Sequence, residues 1–334
     1  MVEHIRSISR WRGAKISILF LLLVPLIIID VACAGTLRER LRDRVHGKGT
    51  GSDAARSTEA IRVNGRERTF ILHVPSRYNT SEPVPVLFAF HGGRGTGPKM
   101  ATMTGFNELA DAQGFLAVYP NGQTQWNDGR GTTDAEKAGI DDVAFVRAMI
   151  EHLGNKFRIN RQRIYAAGIS NGGIFTNRLG CEFSEQLAAI AFVVGEMATP
   201  MAARCELRKP ISVLGIFGTD DPLMPWKGGQ VQGGERGPVL GAEATMDLWV
   251  RKNACQTPGT AAVEPPRVND GTLVKKTTYS RCKEGREVVF ITIEGGGHAW
   301  PPAGPASTRI TGRSSRNLNA SQVVWGFFSE QPPR

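Results

Sequence analysis

The stretch RIYAAGISNGGIFTNRLG, residues 163–180, constrains the fold of this chain more than any other. Its first five residues have the pattern of a strand, and the residues after Gly173 have the pattern of a helix. Between them lies Ser170, with small glycines on both sides. A serine on a sharp strand-to-helix turn is forced into a strained backbone, and small neighbours avoid collisions there. Ser170 is therefore either a nucleophile raised above a sheet or part of a plain tight turn.

Other apolar segments indicate which kind of sheet this strand joins. Four continuous apolar runs alternate with helical patterns: PVPVLFAFHGG (83–93), GFLAVYP (114–120), LAAIAFVVG (187–195) and ISVLGIFG (211–218). Runs of this kind are typical of strands buried on both faces. The alternation predicts an α/β fold, with a mostly parallel sheet and helices on both faces. Asn64-Gly65, between alternating segments, predicts an antiparallel hairpin at the N-terminal end of this domain.

The first 34 residues have the pattern of a secretory signal peptide. Basic residues precede the apolar run 16–29, which is shorter than the ~20 residues of a spanning helix. Ala32-Cys33-Ala34 then fits the small-x-small cleavage rule. We expect cleavage and a secreted or periplasmic protein. Two alternatives stay open, both with membrane attachment: lipidation of Cys33 and retention of the segment as an anchor.

A basic, polar segment at residues 35–58 is expected to be a solvated spacer before a single catalytic domain at residues 59–334. It contributes to the net charge of +10. A nucleic-acid-binding protein is not indicated, because no aromatic–basic interleaving or binding motif accompanies the charge. Hydrophobic residues at 41% and charged residues at 22% exclude a mostly disordered chain.

Four cysteines remain after the expected cleavage, and an even number in an exported chain indicates two disulfides. Sequence alone allows three connectivities. Chain order favours Cys181–Cys205 and Cys255–Cys282, because each pair brackets a short segment. A metal site is not expected, since no CxxC pair is present and the histidines are scattered.

A serine hydroxyl needs a base to act as a nucleophile. His298 in GGGHAWP is the best candidate, because it follows a predicted strand and three glycines let its loop bend toward Ser170. An acid should orient this imidazole, and Asp220 or Asp221 follows another strand at its carboxyl end. Asp141 and Asp142 have the right chemistry too, but they begin a helix, where capping is the simpler role.

An oxyanion hole needs two backbone donors. The N–H of Asn171, next to the nucleophile, is one candidate. The second should come from the glycine loop after residues 83–90, with Gly93 preferred and Gly92 or Arg94 close alternatives. Three tryptophans beside the proposed loops are candidate substrate contacts: Trp126, Trp226 and Trp300.

Taken in order, HGGRG, YPNG with a following tryptophan, DDVAF, RIYAAGISNGG, GTDDPLMPWKGG and GGGHAWP resemble the secreted esterases that include polyhydroxybutyrate depolymerases and feruloyl or acetyl-xylan esterases. The resemblance runs from about residue 61 to the C-terminus. It implies an α/β-hydrolase fold, a carboxylic ester hydrolase without cofactor or metal, and a small or polymeric ester as substrate. Within it, Ser170 matches the nucleophile, His298 the base and Asp221 the acid, and the same two disulfides are implied.

Two alternatives to ester hydrolysis remain at this point. The same residues could transfer an acyl group to an alcohol or cleave a peptide. A catalytically silent cell-wall binding protein could also keep the fold, although such a protein has no need of all three groups.

Overall fold

A ten-stranded mixed sheet forms the centre of the protein in a computed structural model that describes residues 56–233, 236–303 and 308–334. The strands of this sheet, in chain order, are β1 (Arg56–Val63), β2 (Arg66–His73), β3 (Val84–Phe90), β4 (Leu116–Pro120), β5 (Ile159–Ile169), β6 (Ala189–Val193), β7 (Ser212–Gly218), β10 (Thr260–Val263), β11 (Leu273–Tyr279) and β12 (Val288–Glu294). A separate small hairpin joins β8 (Gly228–Gln230) to β9 (Pro238–Leu240).

The spatial order of the sheet is β1-β2-β4-β3-β5-β6-β7-β12-β11-β10. The central strands, from β4 to β12, pair in parallel. Antiparallel pairs flank them at both ends, with β1 and β2 at one end and β11 and β10 at the other. The parallel centre and the opening hairpin, in which Asn64 has a φ of 48°, are as predicted. The antiparallel pair at the far end makes the sheet more mixed than the sequence indicated.

Helices cover both faces of the sheet. They are α1 (Gly97–Thr104), α2 (Phe106–Gln113), α3 (Asp134–Lys137), α4 (Asp142–Lys156), α5 (Asn171–Glu182), α6 (Thr199–Arg204), α7 (Ala242–Lys252), α8 (Thr308–Thr311) and α9 (Ala320–Glu330). Side chains of β3 alternate between two separate cores. Phe88 and Phe90 join the core under α4, α5 and α7, while Leu87 and Ala89 join the core under α1, α2 and α9. The sequence of this strand is continuously apolar because both of its faces are buried.

The predicted signal peptide (1–34) and most of the predicted spacer (35–58) lie outside the described residues. The first strand begins at Arg56, slightly before the predicted domain boundary at residue 59. Within the described ranges, no helix combines the length and the apolar character needed to cross a membrane.

Candidate active site

Ser170 occupies the turn between β5 and α5, at the carboxyl edge of the parallel strands. Its backbone has a φ of 55° and a ψ of −126°, a conformation that is strained for any residue with a side chain. The N–H of Ser170 donates to Val193 O at 3.0 Å, and its own carbonyl accepts the first helical bond from Ile174 N at 2.9 Å. Its hydroxyl does not cap the helix. The turn therefore holds the side chain in place without using the hydroxyl.

Two glycines explain how the chain passes through this turn. A Cβ added to Gly168 would lie 2.2 Å from Gly172 O, and one added to Gly172 would lie 2.4 Å from Phe90 O. Both distances are far below any real contact, so the backbone itself fills the space. Their small size lets β3, β5 and the start of α5 approach one another closely.

His298 and Asp221 are in direct contact. His298 follows β12 and Asp221 follows β7, and these strands are neighbours in the sheet. His298 Nδ1 lies 2.7 Å from Asp221 Oδ2, and the two side chains are 9% and 2% exposed. The other carboxylate oxygen, Oδ1, accepts from Leu223 N and Met224 N, both at 2.8 Å. The carboxylate is thus fixed by backbone donors on one side and meets the imidazole on the other.

The remaining acidic candidates have other contacts. Asp220 is exposed, and its carboxylate accepts from Thr219 Oγ1 at 2.9 Å. Asp141 caps α4 by accepting from Ala144 N at 2.9 Å. Asp142 is buried and pairs with Arg68 at 2.6 Å. Of the four aspartates considered, Asp221 is therefore the one that contacts His298.

The two predicted donor segments meet beside Ser170. Asn171 is the first residue of α5, where a helix N–H has no acceptor within its own helix. A Cβ added to Gly92 would lie 3.3 Å from Ser170 Cβ and 3.8 Å from its Oγ, so the glycine loop passes directly beside the serine. The N–H of Arg94 donates to Thr124 O at 2.7 Å. Arg94 is thereby the weakest of the three loop candidates, which leaves Gly93 and Gly92.

The loop of residues 121–130, which we call the clamp loop, contacts both donor segments. Its Gly122 N donates to Nε2 of His91 at 3.0 Å, and Nδ1 of that ring lies 2.7 Å from Gly92 O. Since Nε2 accepts, Nδ1 carries the proton and donates to the carbonyl. Burial lowers the pKa of His91, which favours this neutral form. The histidine of the HGG motif therefore connects the clamp loop to the glycine loop.

On its other side the clamp loop holds the side chain of Asn171. Asn171 Oδ1 accepts from Trp126 N at 2.8 Å, and Asn171 Nδ2 donates to Asp128 Oδ2 at 2.6 Å. Asp128 is fully buried and pairs with Arg130 at 2.8 Å. Sequence reasoning assigned Asn171 its backbone role only and gave Asp128 none, because no motif marks a loop contact of this kind.

Glu196 is a second residue that the sequence did not single out. It follows β6, is 2% exposed, and its Oε2 has no hydrogen-bond partner in the described structure. Burial and then the nearby charge of Asp221 raise the pKa of Glu196 well above its usual value. The neutral form of Glu196 is therefore favoured by its buried position near Asp221.

The prediction of substrate contacts was wrong for two of the three tryptophans. Trp126 is fully buried, and its Nε1 donates to His91 O at 2.8 Å. Trp300 is 2% exposed, and its Nε1 donates to Ser321 Oγ at 2.9 Å. Both rings are part of the core, so no substrate can stack on them. Trp226 is half-buried and its ring stacks on Phe290 at 6.0 Å between centroids.

The cysteines are joined in the two pairs that chain order favours. Cys181 at the end of α5 is bonded to Cys205 after α6, and Cys255 is bonded to Cys282. Among the described residues, no three His, Cys, Asp or Glu side chains are grouped as metal ligands would be.

Comparison with known proteins relates this architecture to esterases. The family model described as Esterase PHB depolymerase matches residues 69–209. NocK of Nocardia uniformis subsp. tsuyamanensis, a protein named as an esterase, is 30% identical over 291 residues, which cover 83% of each chain. Feruloyl esterase C of Emericella nidulans is 27% identical over 293 residues, covering 85% of this chain and 92% of its own.

A solved structure supports the fold independently. The acetyl xylan esterase of Aspergillus awamori superposes with a TM-score of 0.54 at 15% identity, covering 76% of this chain and 98% of its own. At this identity the match shows the fold alone. Together with the sequence relatives, it shows that the chain belongs to the polyhydroxybutyrate depolymerase and feruloyl esterase family, carboxylic ester hydrolases of the α/β-hydrolase fold.

Proposed function

We propose that this protein is a secreted serine carboxylesterase in which Ser170, His298 and Asp221 form the catalytic triad. The observation that carries the proposal is the 2.7 Å contact between His298 Nδ1 and Asp221 Oδ2 at the same sheet edge as the strained Ser170 turn. An acid in this position holds the imidazole with its proton on Nδ1, which leaves Nε2 as the base.

The proposed reaction has two halves. His298 Nε2 takes the hydroxyl proton of Ser170 as Oγ attacks the ester carbonyl, and the imidazolium formed is stabilised by Asp221. Backbone N–H groups of Asn171 and Gly93 stabilise the negative oxygen of the tetrahedral intermediate. His298 then gives its proton to the leaving alcohol. Water repeats the sequence on the acyl-enzyme and releases the acid.

The substrate class rests on the relatives. Proteins similar to this chain are named feruloyl esterase and acetyl xylan esterase, and the matching family model is named for polyhydroxybutyrate depolymerase. We infer that the substrate is a feruloyl, acetyl or hydroxyalkanoyl ester, small or polymeric. Trp226 remains the candidate contact for an aromatic acyl group or a sugar, because its ring is partly accessible.

An extracytoplasmic location agrees with the two disulfides, which persist in oxidising compartments. The proposed location also requires that the predicted signal peptide at residues 1–34 directs export. Mass spectrometry of the N-terminus of exported protein tests it. A mature chain starting near residue 35 is expected, whereas an intact N-terminus would indicate a retained anchor and a lipid on an N-terminal Cys33 would indicate lipoprotein-type cleavage.

The chemistry is tested with p-nitrophenyl acetate. Ser170→Ala should abolish turnover, because no acyl-enzyme can form, while Ser329→Ala on the exposed end of α9 should keep it. A fluorophosphonate should label the wild type and not the Ser170 variant. Unlabelled wild type would support a silent protein, and activity that survives Ser170→Ala would contradict the mechanism.

A panel of acetyl, feruloyl and hydroxybutyryl esters, with amides and alcohol acceptors, then separates hydrolase from peptidase and acyltransferase.

A further inference from the structure

The clamp loop contacts two segments, the glycine loop and the start of α5, that follow different strands of the sheet. The glycine loop follows β3, and Asn171 begins the helix after β5. Among the hydrogen bonds of the described residues, none joins the glycine loop directly to Asn171. Instead Gly122 N reaches the His91 ring, and Trp126 Nε1 donates to His91 O at 2.8 Å. With the bond from Arg94 N to Thr124 O at 2.7 Å, the clamp loop therefore binds the glycine loop at three points.

The same tryptophan also contacts the second segment. Trp126 N donates to Asn171 Oδ1 at 2.8 Å, and Trp126 O accepts from Asn171 Nδ2 at 3.3 Å. Backbone and ring of one residue thus bind both donor segments. The Trp126 ring stacks on Phe175 at 5.3 Å between centroids and lies edge-on to Phe90, so it has no room to move.

Asp128 completes the hold on Asn171. Its Oδ2 accepts from Asn171 Nδ2, and its carboxylate also accepts from Arg130 N and Arg130 Nε, both at 3.1 Å on Oδ1. Arg130 N, Arg130 Nε and Asn171 Nδ2 all donate hydrogen bonds to the Asp128 carboxylate, and an ionised carboxylate, which only accepts, fits these donors. Burial raises the pKa of Asp128, and the Arg130 charge opposes that rise. Burying a carboxylate costs desolvation free energy even when it is paired. Here the buried carboxylate accepts a hydrogen bond from the side chain of Asn171, the residue next to Ser170.

We propose that Asp128 is a positioning residue that fixes Asn171 through its side chain and so sets the separation of the two oxyanion donors. The proposal rests on the proposed function, because it presumes that the Asn171 N–H acts on the reacting oxygen. A preorganised donor stabilises a transition state only when its position is fixed before reaction, and a misplacement of about 1 Å can cost about 100-fold in rate. The side-chain amide of Asn171 cannot turn without breaking its bonds to Asp128 and Trp126.

Asn171→Ala is the decisive variant, because it removes the side-chain anchor and keeps the backbone N–H. We expect kcat for p-nitrophenyl acetate to fall by about 10- to 100-fold while KM changes less than about threefold. Asn177→Ala is the matched control: Asn177 is also buried on α5, and its side chain bonds Gly195 O at 2.8 Å and Trp249 Nε1 at 2.8 Å. It should lose stability and keep kcat.

Asp128→Asn, alone and combined with Asn171→Ala, then tests whether Asp128 acts through the Asn171 side chain. If Asp128 acts through Asn171, Asp128→Asn lowers kcat in the wild type and adds little to the loss in the Asn171→Ala background. Additive losses, an Asn171→Ala variant with kcat within twofold of wild type, or a rise in KM alone would overturn the proposal. Should Asp128→Asn fail to fold, Asn171→Ala still tests whether the Asn171 side chain is needed, and kcat within twofold of wild type would overturn the proposal. Ser170→Ala, run beside these, separates the outcomes: if it stays active, the proposed function itself has failed.

Discussion

His298 Nδ1 lies 2.7 Å from Asp221 Oδ2, although 77 residues separate them in sequence. The contact exists because β7 and β12 are adjacent parallel strands whose carboxyl ends meet at one edge. The first prediction follows from it. Asp221→Asn should lower kcat by about four orders of magnitude, since an asparagine there favours the wrong imidazole tautomer. Steady-state hydrolysis of p-nitrophenyl acetate measures the loss.

Asp220→Asn is the control for that experiment. The two aspartates are neighbours, but Asp220 is exposed and bonds Thr219 rather than the imidazole. It should change kcat less than twofold. A large loss from Asp220→Asn together with a small one from Asp221→Asn would exchange the roles that we assign.

The second prediction concerns the Ser170 turn. Gly168→Ala places a Cβ 2.2 Å from Gly172 O, and only backbone movement can relieve the collision. We expect the free energy of unfolding to fall by about 2–3 kcal/mol, as overpacking of a rigid site does, and turnover to fall with it. Urea denaturation followed by circular dichroism measures the first effect.

Gly326→Ala, in the middle of α9, adds a Cβ that has no atom within 4 Å apart from its chain neighbours and the backbone of its own helix. Alanine suits a helix interior better than glycine by about 1 kcal/mol, so this variant should be as stable as wild type or slightly more stable. If both variants behave alike, close packing at the turn is not what selects glycine at position 168.

The sequence predicts the parallel centre of the sheet well, because strands buried on both faces leave continuous apolar runs such as residues 83–90. The Ser170 turn could be placed for a related reason, since strand, turn and helix signals are contiguous there. The antiparallel strand β10 escaped prediction: its residues are all exposed, so it carries no apolar pattern. An edge strand of this kind is defined by its hydrogen bonds to β11.

Side chains that depend on long-range contacts were harder to assign. Trp126 stands beside polar loop residues in sequence, yet the structure buries it against Phe90 and Phe175. Local polarity cannot report that a loop folds back onto the core. Asp128 and Glu196 were missed for the same reason, because the importance of a buried acid lies in partners that are distant in sequence.

The third prediction uses the buried Glu196. Since the pKa of Glu196 is raised in the folded protein, the folded state holds a proton that the unfolded state releases above its ordinary pKa. Folding is therefore penalised increasingly as pH rises from the ordinary value toward the folded pKa, by up to about 1.4 kcal/mol per pH unit. Glu196→Gln mimics the neutral acid and removes this penalty. We expect it to raise the free energy of unfolding at pH 7 and to have little effect near pH 4.

Urea titrations at several pH values measure the difference. Glu206→Gln, an exposed glutamate, serves as the control and should shift stability little at any pH. A Glu196→Gln variant whose stability difference from wild type does not change with pH would show that folding does not raise the pKa of Glu196.

The last prediction concerns the disulfide between Cys181 and Cys205, which closes a loop with a sequence separation of 24. It ties the end of α5 to the segment after α6, so it secures the helix that begins at Ser170. Replacing both cysteines by serine should lower the free energy of unfolding by about 3 kcal/mol, mainly by freeing the unfolded chain. The Ser170 turn lies at the other end of α5, so kcat of the folded variant should stay near that of wild type. Denaturation and turnover measured on the same sample check both parts, and a loss of kcat without a loss of stability would contradict this separation.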